Sequence, residues 1–129
     1  MHGDESPTVL DQITTNTIRA IRVSSFEVAQ KEIDIWIEHG VTAILLYAAS
    51  GIQFGGTGKQ IDWEKVADLE SNIPLILAGG LNCDNVSQAI STAKPTAVDV
   101  ASGIEKFPGC KDVEQMRAFI EAAKAEFAR

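Results

Sequence analysis

The sequence is poor in the residues that build metal centres, disulfide scaffolds and membrane spans. Of its 129 residues, 2 are cysteine and 2 are histidine. Cys83 and Cys110 lack the short spacing of metal ligands, so we expect no metal, no cofactor and no disulfide framework. No apolar run approaches the roughly 18 residues of a membrane span, and we recognise no signal-peptide pattern. These absences favour a soluble, cytoplasmic protein without a membrane partner.

Positive charge is also scarce. The chain has 11 Lys and Arg against 18 Asp and Glu, which gives a formal net charge of -7. Nucleic-acid binding would require a basic stripe, so we expect no nucleic-acid partner. An anionic metabolite stays possible, because backbone N–H groups can hold a phosphate on an acidic protein.

Apolar runs and helical stripes alternate along the chain. We predict strands over residues 17–23, 41–47, 73–78 and 96–101, each followed by a helix, with a short helix after Pro7. The run over 41–47 is typical of a parallel strand covered on both faces. No linker interrupts the series, so we predict one domain over residues 1–129. Ser25 and Asp112 are the predicted N-terminal caps of the first and last long helices. The predicted inward face of the first is Phe26, Ala29, Ile33, Trp36 and Ile37, and that of the last is Val113, Met116, Phe119, Ile120 and Ala123.

Four parallel strand–helix units allow two architectures, a small open sheet or half of an eight-stranded barrel. Because a full barrel typically takes about 200 to 250 residues, the length favours the half. Half of a barrel exposes two unpaired strand edges. We therefore expect self-association or a complementary half-barrel partner.

Two of the predicted strands end at small residues. Gly79 and Gly80 follow the third strand, and Ser102 and Gly103 follow the fourth. Backbone N–H groups without side chains in the way can approach phosphate oxygens closely. In many barrels the phosphate site lies in the loops after the last two strands. We predict a cradle for one phosphate group; the alternative is that these glycines only make tight turns.

Four further residues are candidates for the ligand site. Gly55 and Gly56 lie in a long loop that could close over a ligand, although its spacing is not that of a nucleotide P-loop. Asp99 lies in an apolar strand, where burial of a carboxylate is costly unless it serves a ligand or is satisfied by neighbouring amides. Arg22, near the end of the first strand, could bind an anion or form an ordinary ion pair.

Six stretches of the sequence together carry a family resemblance. They are His2-Gly3-Asp4-Glu5, Gly55-Gly56-Thr57-Gly58, Ile61-Asp62-Trp63, Pro74 to Leu81, Val98 to Glu105 and Pro108 to Asp112. In their order and spacing they resemble the phosphoribosylanthranilate isomerase family of tryptophan biosynthesis. The resemblance covers nearly the whole chain and aligns with the second half of the family's barrel.

The resemblance implies an α/β fold that is the C-terminal half of a TIM (β/α)8 barrel of the ribulose-phosphate-binding type. It also implies an isomerase that converts N-(5-phosphoribosyl)anthranilate into a carboxyphenylamino-deoxyribulose phosphate. In the family, a general acid protonates the furanose ring oxygen and a general base takes the proton from the second sugar carbon.

The resemblance assigns roles to several positions. Tyr47 stands where the family has its general acid, an aspartate, and Asp99 matches an aspartate that positions substrate. His2 matches a histidine near the substrate. The residues that match the phosphate loops are Gly79, Gly80, Ser102 and Gly103.

The family's base is a cysteine on the first barrel strand, and this sequence has no counterpart of it. We therefore expect a truncated isomerase with little or no turnover as an isolated chain. One alternative is a non-catalytic half-barrel that binds a sugar phosphate or a complementary half-barrel. Another is a different phosphosugar isomerase or synthase of the same barrel group.

Overall fold

The computed structural model describes residues 1–48 and 60–129. The predicted alternation of strands and helices is confirmed there, and no helix in these two ranges is long and apolar enough to cross a bilayer. The strands are β1 (Ile18–Val23), β2 (Ala43–Ala48), β3 (Leu75–Leu77), β4 (Ala97–Val98), β5 (Glu105–Phe107) and β6 (Cys110–Lys111). The helices are α1 (Phe26–Glu38), α2 (Trp63–Ala67), α3 (Val86–Ala93) and α4 (Val113–Phe127). Short 3₁₀ helices cover Pro7–Gln12 and Ser102–Ile104.

Strands β1 to β4 form one parallel sheet in chain order. Crossovers between neighbouring parallel strands are right-handed, so this order places every connecting helix on the same face of the sheet. On that face Ile44 and Leu46 are fully buried and belong to one apolar cluster with Ile33 of α1 and Val86 of α3. The sheet is therefore wound in one direction, as in a barrel, and not doubly wound.

The opposite face of the sheet is open among the described residues. Leu45, Ile76 and Ala97 are register partners on this face, and all three are partly exposed. Ile18 of β1 is exposed as well. The prediction that β2 is covered on both faces is wrong for this part of the chain, because the helices cover only the face that carries Ile44.

Both long helices begin at the predicted caps. Ser25 Oγ accepts a hydrogen bond from the Val28 N–H (3.3 Å), and Asp112 Oδ1 accepts one from the Glu114 N–H (2.9 Å). A side-chain acceptor at this position satisfies an N–H group that the helix itself leaves free. Gly40 follows α1 with a φ of +87°, the left-handed conformation that commonly ends a helix.

The predicted inward stripe of α4 is only partly correct. Phe119 and Ala123 are buried, but Val113 and Ile120 are exposed. Helix α4 packs against α3 and the 3₁₀ helix Ser102–Ile104 with one side only. Its outer flank has no neighbour in the described part of the chain, so the stripe is wider than the surface that it covers.

A hairpin after β4 is missing from the sequence prediction. Strands β5 and β6 pair in antiparallel fashion, and Gly109 in their connection has a φ of +83°. The dipeptide Pro108-Gly109 is a typical turn signal. Each strand has only two or three residues, too few for a recognisable alternation of apolar and polar side chains.

We expect the free energy of unfolding to fall as the pH drops below about 4.5. The pKa of Glu5 is lowered chiefly by its own backbone N–H, that of Glu105 by the hydrogen bond from Lys111, and that of Asp112 by the Gln115 N–H. Carboxylates with a lowered pKa stabilise the fold above their ordinary pKa, and this contribution is lost as the pH falls through the lowered value. Urea denaturation between neutral and acid pH measures the effect.

The matched control for this pH dependence is Asp112→Asn, which can still accept the helix-capping hydrogen bonds but cannot titrate. Its stability should decline less in acid than that of the unchanged chain. A chain whose stability is constant or rises between about pH 5 and pH 3 contradicts the assignment.

Candidate functional site

Two loops meet at the carboxyl end of the sheet, one after β3 and one after β4. Residues 79–81 and 99–103 line one cavity of about 100 Å³. A water molecule takes about 30 Å³ in the liquid, so this cavity has room for a small group such as a phosphate. The structure thus brings together the four small residues that the sequence pattern singled out, Gly79, Gly80, Ser102 and Gly103.

The first loop presents backbone donors. Gly79 has a φ of +89° and Gly80 a φ of +69°, which residues with a side chain rarely adopt. The N–H groups of Gly79, Gly80 and Leu81 donate no hydrogen bond to any residue in the described ranges. Backbone donors without a partner at a small cavity are suited to an anion.

The two loops are in direct contact through Gly103. A Cβ atom built on this residue would overlap the carbonyl oxygen of Leu81 and lie 3.2 Å from the Cα of Asn82. Glycine is therefore required at position 103 for steric reasons, whatever ligand is bound. Its absent side chain lets the second loop approach the first closely enough to close the cavity.

Asn85 fixes the first loop. Its Nδ2 donates to the Gly80 carbonyl oxygen (2.9 Å), and its Oδ1 accepts from the Asn82 N–H (2.9 Å). This role was not predicted, although an asparagine just before a helix is a common sign of a side chain that bonds the preceding turn.

Lys111 fixes the second loop. Its Nζ donates to the Ala101 carbonyl oxygen (2.7 Å) and to Glu105 Oε1 (2.7 Å). The ammonium group is also the main reason why the pKa of Glu105 is lowered. This residue was not predicted, because it reaches the loop only through the hairpin formed by β5 and β6.

The open face of the sheet carries three of the predicted site residues near the strand ends. Arg22 and Tyr47 are register partners on β1 and β2, so their side chains lie on the same face. Asp99 follows Ala97 by two positions and belongs to this face as well. All three thus lie toward the carboxyl end of the sheet, but Asp99 lines the cavity between the two loops, whereas Arg22 and Tyr47 line a different one.

The expected burial of Asp99 is wrong. Strand β4 pairs only through Ala97 and Val98, and Asp99 is exposed just beyond it. Its backbone N–H still donates to the Leu77 carbonyl oxygen (2.9 Å), which holds it at the strand end. Because this face of the sheet is open among the described residues, the carboxylate keeps its hydration and pays no cost of burial.

The N-terminal residues lie along β1. The Met1 amino group donates to the Ile18 carbonyl oxygen (3.0 Å), and the Met1 carbonyl oxygen accepts from the Ala20 N–H (2.8 Å). Arg19 of β1 holds the segment after Met1 in place, since its guanidinium donates a hydrogen bond to Glu5 Oε2 (2.8 Å). The same guanidinium lies 4.5 Å from the centre of the Trp36 ring.

This arrangement places His2 near Arg22 and Tyr47. His2, Arg22 and Tyr47 all line a second cavity, of about 430 Å³. Arg22 forms no ion pair with a described residue. Gly55 and Gly56, the remaining candidates, lie outside the residues that the structure describes.

A profile of the N-(5'phosphoribosyl)anthranilate (PRA) isomerase family matches residues 1–122. The chain belongs to this family. The resemblance inferred from the motifs is therefore confirmed, and so are the strand–helix units that it implied.

Individual PRA isomerases support the assignment. The N-(5'-phosphoribosyl)anthranilate isomerase of Geobacter sulfurreducens is 43% identical over 124 residues, which cover 96% of this chain and 59% of that protein. The crystal structure of the Thermotoga maritima enzyme has a TM-score of 0.76 and 35% identity, covering 96% of this chain and 60% of that one. A third structure, in complex with reduced 1-(o-carboxyphenylamino)-1-deoxyribulose 5-phosphate, has a TM-score of 0.71 and 32% identity, covering 96% of this chain and 57% of that one.

The chain thus spans about three fifths of the length of the PRA isomerases that it matches. Nearly all of its own residues are included in the match.

Proposed function

We propose that this chain holds the phosphate end of N-(5-phosphoribosyl)anthranilate during its isomerisation to the carboxyphenylamino-deoxyribulose phosphate. The observation that carries the proposal is the cavity formed by the loops after β3 and β4. There the N–H groups of Gly79 and Gly80 donate to no residue that the structure describes, and Gly103 lets the two loops approach closely. The ligand named for one related structure ends in a 5-phosphate, and a group of this charge and size suits such a cavity.

We further propose that the described units form one domain, the second half of a (β/α)8 barrel. The support is the sequential strand order with helices on one face only, which leaves an open apolar face where a barrel would have its interior. The partner in this proposal is a second copy or a complementary half-barrel, because unpaired strand edges and an open face need cover.

In the proposed reaction Asp99 and His2 position the sugar, and Arg22 interacts with an anionic group of the substrate. Tyr47 occupies the place of the general acid. A phenol with a reference pKa of about 10 releases a proton far less readily than a carboxyl group with one of about 4. The base comes from a part of the barrel for which this sequence has no match.

Little or no turnover by the isolated chain follows from this proposal, because each missing proton-transfer group costs about 10²- to 10⁴-fold in rate. The test is the purified chain assayed by the loss of phosphoribosylanthranilate fluorescence, with calorimetric titration against ribose 5-phosphate and ribose. Binding of the phosphorylated sugar alone, with negligible turnover, is the expected result. Turnover close to that of a complete enzyme contradicts the proposal.

A non-catalytic half-barrel that binds a sugar phosphate is the second candidate. The altered acid position at Tyr47 favours it. The two candidates separate when the chain is mixed with the N-terminal part of a related isomerase. Appearance of turnover supports the isomerase, and phosphosugar binding without turnover supports the binding module.

A further inference from the structure

Two peptide groups at the cavity between the loops are held by side chains that donate to their carbonyl oxygens. Asn85 Nδ2 donates to the Gly80 carbonyl oxygen (2.9 Å), and Lys111 Nζ donates to that of Ala101 (2.7 Å). Gly80 and Ala101 line the cavity, whereas Asn85 and Lys111 do not. Both side chains therefore reach their loop from outside the cavity.

Each of these carbonyl groups shares its peptide with the N–H of the next residue. The peptide of Gly80 ends in the Leu81 N–H, and that of Ala101 ends in the Ser102 N–H. No peptide bond in the described ranges is cis, and in a planar trans peptide the C=O and the N–H point in opposite directions. A donor that holds the carbonyl oxygen outside the cavity therefore turns the N–H toward it.

The two N–H groups are available to a ligand. Those of Leu81 and Ser102 donate no hydrogen bond to any residue in the described ranges, and both residues line the cavity. The Leu81 side chain is buried in the apolar cluster, so this residue meets the cavity with its backbone. Two donors, one from each loop, can thus converge on one anion.

We propose that Asn85 and Lys111 are positioning residues, which aim the Leu81 and Ser102 N–H groups at the phosphate of the bound sugar. Neither side chain touches the ligand. Each loop is served by a residue that follows it in the chain, since Asn85 precedes α3 and Lys111 belongs to β6. These roles rest on the proposed phosphate site and name the residues that orient its donors.

The orientation of the Asn85 amide is fixed by a second bond. Its Oδ1 accepts from the Asn82 N–H (2.9 Å), and only the carbonyl end of an amide side chain can accept, so the NH2 end faces Gly80. Gln60 Nε2 is a more distant donor to the same carbonyl oxygen, at 3.5 Å. Asn85 is therefore the principal donor that holds the Gly80 peptide.

Lys111 also strengthens the donor that it positions. A cation that donates to a carbonyl oxygen polarises the peptide, which makes the N–H at its other edge a better donor. The charge of Lys111 is balanced by Glu105, whose Oε1 lies 2.7 Å from Nζ. Because the pair as a whole is neutral, its effect on the phosphate passes mainly through the peptide between Ala101 and Ser102.

Calorimetric titration with ribose 5-phosphate tests the role of Lys111. Lys111→Met should raise the dissociation constant by about tenfold, because the Ser102 N–H is then neither held nor polarised. Lys111→Arg keeps a cationic donor and should stay within about threefold of the unchanged chain. The matched control is Glu105→Gln, which removes the same ion pair but leaves the bond to Ala101, so its dissociation constant should not rise.

Two asparagines of one turn give a matched pair for the first loop. Asn85→Ala removes the bond to Gly80 and should raise the dissociation constant by about tenfold. Asn82→Ala removes the bonds that its Oδ1 accepts from the Asp84 and Asn85 N–H groups (2.9 and 3.1 Å) but leaves the Gly80 peptide held. It should change the dissociation constant by no more than about twofold.

Amide NMR spectra at saturating ribose 5-phosphate separate positioning from a general loss of structure. Lys111→Met should lose most of the ligand-induced shift at Ser102 and keep that at Leu81, and Asn85→Ala should show the reverse. Equal loss of both shifts in each variant indicates a structural role only and overturns the proposal. A Glu105→Gln variant that binds as weakly as Lys111→Met overturns it as well.

Binding by the unchanged chain separates failure of these roles from failure of the proposed function. If the unchanged chain shows no saturable binding of ribose 5-phosphate, both proposals are overturned. If it binds, and Lys111→Met and Asn85→Ala bind with the same affinity, the phosphate site stands and only the positioning roles are overturned.

Discussion

Replacing Gly103 by alanine should abolish phosphosugar binding and lower the free energy of unfolding by about 1 to 3 kcal/mol. The added methyl group would overlap the Leu81 carbonyl oxygen, and that atom belongs to the backbone of the neighbouring loop. The two loops must therefore separate, and the cavity between them changes shape. Calorimetric titration with ribose 5-phosphate measures the binding, and urea denaturation measures the stability.

Gly109→Ala is the matched control for this steric effect. Gly109 has a φ of +83° but open space where a Cβ would lie. Alanine there should cost about 1 to 2 kcal/mol through backbone strain alone, with phosphosugar binding unchanged. Equal loss of binding in both variants, or normal binding by the Gly103 variant, contradicts the assignment of the cavity as the phosphate site.

Changing Tyr47 to aspartate should raise turnover of N-(5-phosphoribosyl)anthranilate by about 10²- to 10⁴-fold. The assay includes the N-terminal part of the Geobacter sulfurreducens relative, which supplies the segment that this chain does not match. A carboxyl group at this position is a much stronger acid than the phenol. It would lie beside Arg22 on the open face of the sheet. The measured quantity is kcat/KM from substrate fluorescence.

Tyr47→Phe tests whether the phenol itself serves as the acid. The ring stays in place and only the hydroxyl group is lost, so kcat/KM in the same mixture should change by no more than about threefold. A fall of about tenfold or more would assign the proton transfer to Tyr47 and contradict the view that the acid position is impaired.

The sequence predicted those parts of the fold that depend on local chemistry. The capping roles of Ser25 and Asp112 could be read directly, because an oxygen-bearing side chain before an apolar stripe satisfies free N–H groups of the first turn. The meeting of the loops at Gly80 and Gly103 followed from topology, since the ends of neighbouring parallel strands share one edge of a sheet.

What the sequence did not predict depends on which neighbours cover each surface. Periodicity identified Leu45 and Ile120 as apolar positions on regular elements, but it could not tell whether another layer lies against them. The exposure of Asp99 has the same origin, because its burial was inferred from apolar neighbours in sequence. Lys111 was missed since its contact with Ala101 depends on a hairpin of very short strands.

The central claim is that the loops after β3 and β4 bind a sugar phosphate through their backbone N–H groups. Amide NMR spectra of the chain during titration with ribose 5-phosphate test it most directly. Saturable shifts of the Gly79, Gly80 and Gly103 amide signals, absent with unphosphorylated ribose, are the predicted result. Unchanged signals at these three glycines, or equal shifts with ribose, would contradict the account.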